Sequence, residues 1–155
     1  MKKHILLSLL LTFSAFGVLT EPEKTLYPAR QLLKNGGFEN STANWTASGG
    51  TFATTSTTPG AGNAMGTWDS NGAAQTLTGS AVAIPAGAYG KNGVASCAIK
   101  CASGSCTHTI NAYDGTNLLV TDTVTSSTSV YARTSVNFVF PSSGNIQLRV
   151  SSVAA

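Results

Sequence analysis

Residues 130–140, VYARTSVNFVF, alternate along the chain. Val130, Ala132, Thr134, Val136, Phe138 and Phe140 fall on one side. Tyr131, Arg133, Ser135, Asn137 and Val139 fall on the other. Period two over that length predicts a half-buried antiparallel strand. Pro141 ends it, SSGN turns the chain, and residues 146–153 begin again with Ile146, Leu148 and Val150 inward. The same pattern predicts strands over 51–56, 63–69 and 73–84, the last bent at Gly79, and another over 118–124. Residues 94–101 and 106–113 read as a hairpin around ASGS. TPGAGN, SNG, PAGAYGKNG and DGTN separate these runs with turn residues. Roughly eight strands at this spacing predict an all-β sandwich, and no stretch carries the 3.6-residue period of an ordinary helix.

Composition agrees with the pattern. Only 10% of residues are charged while 42% are hydrophobic, which disfavours both a helical domain and a disordered chain. Thr, Val and Ile favour strands, and Gly, Asn and Ser favour turns.

The first twenty residues, MKKHILLSLLLTFSAFGVLT, stand apart. Two lysines precede an apolar run, and Ala15 and Gly17 supply the small residues of a cleavage site. Residues 1–17 therefore read as a secretory signal peptide of bacterial type, giving a secreted or cell-surface protein. The apolar run is too short for a spanning helix, and no later run is long enough. Residues 18–30, with Pro22 and Pro28, form a polar lead-in, and residues 31–155 form the sandwich domain.

Removing the leader changes the charge picture. The formal net charge is +3, but Lys2 and Lys3 leave with the leader. Seven basic residues then face six acidic ones, and the basic residues are scattered singly. This excludes a phosphate-tracking stripe, and no nucleic-acid partner is expected.

Cys97, Cys101 and Cys106 are the three cysteines. Export makes a disulfide reasonable, and Cys101 and Cys106 flank ASGS closely enough to pair. One thiol is left over, to be buried or to pair with another chain. Zinc is disfavoured, because three cysteines and His108 within one hairpin make poor tetrahedral geometry.

NGGFENSTANW, starting at Asn35, joins PAGAY and VNFVFPSSGNIQLRVSS in resembling the galactose-binding-like β-sandwich. More narrowly, these stretches resemble jelly-roll carbohydrate-binding modules of the xylan- and glucan-binding type. The resemblance covers about residues 31–153, and similar domains occur in adhesins and fibre-like proteins. It implies an antiparallel jelly-roll sandwich whose last strand lies beyond Ala155. It also implies a structural calcium with Glu39 as one ligand, the partner Asp lying on that last strand. Within the opening motif, Gly36 and Gly37 are expected to make the turn, while Phe38 and Trp45 anchor the first loop in the core.

The candidate chemistry is that of a binding module rather than an enzyme. Glu39 has no second carboxylate in a shared motif, as glycoside hydrolysis would require. His108 lacks a nucleophile and an orienting group. Sugar sites use aromatic faces for stacking and polar groups for the hydroxyls. Tyr131, Arg133 and Asn137 share the polar side of their strand and are the first candidate ligand contacts. Trp68 is balanced between platform and core, and Tyr89 and Tyr113 are further aromatic candidates. The expected partner is a polysaccharide or cell-surface glycan. A structural or adhesive fibre module that associates with itself is the competing reading.

Overall fold

The computed structural model describes residues 4–8, 32, 35, 36, 38–56, 64–69, 74–128 and 130–152, the first of these segments in its backbone only. The lead-in 18–30, most of the leader, Gly37, the turn at 70–72 and Val153 lie outside the described residues.

The described residues form an all-β antiparallel sandwich. In chain order its strands are β1 His4–Ser8, β2 Trp45–Ala47, β3 Thr51–Thr55, β4 Met65–Asp69, β5 Thr76–Gly79 and β6 Val82–Ala83. They continue as β7 Asn92–Cys101, β8 Ser105–Tyr113, β9 Leu118–Ser127, β10 Ala132–Val139 and β11 Asn145–Ser152. A single 3-10 turn, Ala86–Ala88, follows Pro85 in the PAGAY loop. One sheet, called A here, runs β10-β7-β1-β4-β3. The other, sheet B, runs β2-β5-β11-β8-β9, with β6 also pairing β11. The strand expected over 73–84 is thus broken just after Gly79 into β5 and β6, both laid against β11.

The core lies between the sheets. Ile99 from sheet A, and Leu77, Ile110, Leu148 and Val150 from sheet B, are fully buried there together with Trp68. In β10 the alternation read from the sequence sends Val136, Phe138 and the following Phe140 inward. Val130, expected on that inward side, is 65% exposed, because it precedes the strand and escapes its pleat.

The expected hairpin of residues 94–101 with 106–113 does not form. β7 lies in sheet A and β8 in sheet B, so ASGS carries the chain from one sheet to the other. The reason is burial. Cys97 and Ile99 on β7, and His108 and Ile110 on β8, are all buried and meet across the sandwich. Side by side in one sheet, they would leave the opposite wall uncovered. The Cys101–Cys106 disulfide, with Cα atoms 6.0 Å apart, therefore ties the two sheets at this end. The hairpin of this region is β8–β9, closed by DGTN: the Asp114 carboxylate accepts the Thr116 and Asn117 amides and the Asn117 side chain. Those bonds, the Asn117 side chain first, hold the Asp114 carboxyl below its ordinary range.

Asp122 was placed by its strand face near a sheet edge, and β9 is the edge of sheet B. Its carboxylate accepts a hydrogen bond from Thr134 on β10, the edge strand of sheet A, which lowers its pKa. The two sheets are therefore joined along this side by a polar contact.

The opening motif is organised by one amide. Asn35 Nδ2 donates to the carbonyls of Ser41 and Ala43 at 2.8 Å each and of Asn40 at 3.3 Å. Asn35 Oδ1 accepts the Asn40 amide at 2.9 Å, and the Asn35 carbonyl accepts Trp45 Nε1 at 3.1 Å. The turn does not rest on glycine as expected. Positive φ falls on Asn35, Phe38, Ser41 and Asn44, while Gly37 lies outside the described residues. Phe38 and Trp45 do enter the core, with ring centroids 5.5 Å apart. Replacing Asn35 by Asp would turn the amide donor into an acceptor facing three carbonyls. A loss of about 2 kcal/mol or more is expected in urea melts, and Asn35→Ala should cost somewhat less.

A candidate binding face on sheet B

Two surfaces compete for ligand, and each follows from strand alternation. The first is the outer side of β10. Arg133 and Asn137 are exposed there with Ser135 and Val139. Four residues of strand separate them, about 13 Å at the usual rise. Tyr131 precedes the strand and is half-buried. Its hydroxyl donates to Met65 Sδ at 3.1 Å, and Lys100 Nζ lies 5.6 Å from its ring centroid. Trp68 does not join this patch. It is 1% exposed, and its indole nitrogen donates to the Gly49 carbonyl at 3.1 Å. A ring enclosed in that way presents no face to a sugar. Of the four expected contacts, the structure leaves Arg133 and Asn137 outward and packs Trp68 into the core.

The second surface is the outer side of sheet B. Along β8, His108, Ile110 and Ala112 point inward, so Thr107, Thr109, Asn111 and Tyr113 point outward. Along β11, Ile146, Leu148 and Val150 point inward, which turns Gln147, Arg149 and Ser151 outward. Register brings these into rows. Gln147 pairs with Tyr113, Arg149 with Asn111, and Ser151 with Thr109. The Arg149 row extends to Thr78 and Thr46 on one side and to Thr121 on the other.

The side chains of this face hold one another in place. The Arg149 guanidinium carbon lies 3.8 Å from the Tyr113 ring centroid. Arg149 Nε and Nη2 donate to Gln147 Oε1 at 3.0 and 2.8 Å, and Nη2 also donates to the Gly115 carbonyl at 3.2 Å. Asn111 Nδ2 donates to Thr109 Oγ1 at 3.2 Å and to Ser151 Oγ at 3.4 Å. The guanidinium is thus locked against an aromatic ring in the middle of a hydroxyl- and amide-rich surface. Such a surface suits a polyhydroxylated ligand: the ring and guanidinium planes offer stacking area, and the amides and hydroxyls offer both donors and acceptors. Preorganisation lowers the entropic cost of binding.

Sequence reading named Tyr113 as an aromatic candidate and passed over Arg149 and Gln147. The signal was there, since IQLRVSSV alternates as plainly as the strand before it. What was missing was the partner, because β11 meets β8 across more than thirty residues of chain.

Glu39 is exposed, and its Oε1 accepts the Ala64 amide at 3.3 Å. No group of three or more His, Cys, Asp or Glu gathers among the described residues. One carboxylate does not make a calcium site, which takes six to eight oxygens, so these residues alone do not fit the ion. Cys97, the leftover thiol, is fully buried in the core. Burial first, and then the Asp122 charge, push its pKa up to about 12, so it is no reactive thiolate. That removes one argument for assembly through an intermolecular disulfide.

No family model matches this chain, and no curated protein matches it. Among the described residues no helix is long and apolar enough to cross a membrane.

Proposed function

We propose that this is an exported, non-catalytic module that binds a polysaccharide or cell-surface glycan on the outer face of sheet B. The observation that carries this reading is the Tyr113–Arg149–Gln147 cluster, fixed within rows of Thr, Ser and Asn. The resemblance of the opening motif to carbohydrate-binding modules points the same way. Affinity per site would be weak, with avidity from several copies in a larger surface protein.

The test is a polysaccharide array followed by affinity electrophoresis. Tyr113→Ala and Arg149→Ala are each expected to weaken glycan binding about tenfold or more, a change of roughly 1.4 kcal/mol. Arg133→Ala and Asn137→Ala, on the other sheet, should leave it unchanged. Loss of binding in the second pair alone would move the site to β10. Retention on no polysaccharide would sink the reading altogether.

The second reading, a structural module of a fibre-like surface protein, is favoured by the central position of β1 in sheet A.

A further inference from the structure

β1 occupies the middle of sheet A. His4–Leu7 pair antiparallel with Gly66–Asp69 of β4, and Ile5–Ser8 pair antiparallel with Ala98–Cys101 of β7. β4 and β7 therefore run parallel to each other. Without β1, they would face each other across two strand spacings, about 10 Å, with their backbone donors and acceptors unpaired. The residues paired with Ile5 and Leu7 are Trp68, Gly66, Cys101 and Ile99, all buried. The slot thus calls for apolar residues at alternate positions of its occupant.

The same five residues lie within the apolar run of the export leader. Leader removal would take the central strand with it. The polar lead-in offers no substitute, since Glu21, Pro22, Glu23, Lys24 and Pro28 fall within 18–30. Proline cannot donate to a central ladder, and charges are costly there. β11, the last strand described, is already committed to sheet B.

We propose that sheet A is a strand acceptor: in the processed protein, the slot between β4 and β7 takes an extended apolar segment of a different polypeptide, antiparallel to both. Backbone hydrogen bonds supply the affinity, and the alternate apolar side chains supply the selectivity. His4–Ser8 holds the place in the unprocessed chain. This rests on the export reading of residues 1–17 and is independent of glycan binding.

The experiment starts from the full chain with a protease site placed within residues 18–23. After cleavage the leader fragment is stripped in urea, and the body is refolded with the peptide Lys-Lys-His-Ile-Leu-Leu-Ser-Lys, with its scrambled version, or alone. With the peptide, the body is expected to regain the uncut chain's melting transition. The amides of residues 66–69 and 98–101 should then exchange at least tenfold more slowly than in the body alone. Full protection without peptide would overturn the proposal, because the slot would have closed or filled from within. Failure of the peptide to restore the fold, or equal rescue by the scrambled peptide, would overturn it as well. N-terminal sequencing of the secreted protein tests export separately. A retained Met1 would sink the export reading and leave the cut-chain result standing as a property of the fold.

Discussion

Phe38→Ala is expected to destabilise the domain by about 4 kcal/mol, read as a drop in the urea midpoint with little change in slope. Phe38 is 1% exposed. Its ring sits 5.5 Å from Trp45 and 5.6 Å from Phe52, centroid to centroid. Gly66 is built around this cluster, since a Cβ there would stand 2.9 Å from Phe52 and 3.1 Å from Phe38. Removing the ring leaves a cavity lined by groups shaped to meet it. Phe38 also has φ +58°, a left-handed conformation that bulky residues rarely adopt. Alanine keeps that strain, whereas glycine removes roughly 1 kcal/mol of it. Phe38→Gly should therefore be less destabilising than Phe38→Ala, the reverse of the usual order. If glycine proves the worse of the two, the packing and strain contributions assigned here are wrong.

Acid is expected to weaken the fold through His108. This residue is 1% exposed, its ring lies 6.5 Å from Trp68 in the core, and neither ring nitrogen has a hydrogen-bond partner. Burial lowers its pKa from 6.5 to about 4. The unfolded chain takes up the proton below pH 6.5, while the folded chain resists until about pH 4. Stability is therefore complete above pH 6.5 and is lost as pH falls through that window. At about 1.36 kcal/mol per pH unit the loss amounts to roughly 3 kcal/mol. The lowered pKa values of Asp114 and Asp122 act below their ordinary 3.8, so their contribution is lost at lower pH than this window. Urea melts at pH 7 and pH 4 measure the effect. His108→Leu should flatten the dependence between those values and raise stability at pH 7, because two orphaned polar atoms leave the core. An unchanged pH slope in that variant would show that another group titrates there.

Legibility followed the range of the interaction. In β10, Val136 and Phe138 turned inward as their alternation requires, because a strand's two faces are set by its own pleat. Asp122 marked an edge strand for the same local reason, since a charge on an inward face is tolerated only where the sheet ends. The opening loop was recognisable as a unit, yet its turn was assigned to glycines while Asn35 and Phe38 carry the left-handed backbone. The Asn35 bonds that hold that conformation span five to eight residues, beyond what a turn signal reports.

The binding face was hidden for a related reason. Tyr113 and Arg149 are thirty-six positions apart, and each reads as an ordinary outward residue. Only the β8–β11 register stacks them. Trp68 shows the converse: a strand with an aromatic at an ambiguous position, which the opposite sheet enclosed.

From its residues alone, this chain declares an all-β sandwich, the inward side of its clearest strands, its turns and its low-charge surface. Those properties depend on backbone pleat, propensity and composition, all of which act within a few residues. The separation of β7 from β8 into opposite sheets, the seating of residues 4–8 between β4 and β7, and the Tyr113–Arg149 stack belong to the tertiary structure. Period two says which way a side chain points and nothing about which strand lies beside it. That choice is made by the burial of both apolar faces at once, and it is a property of the whole chain.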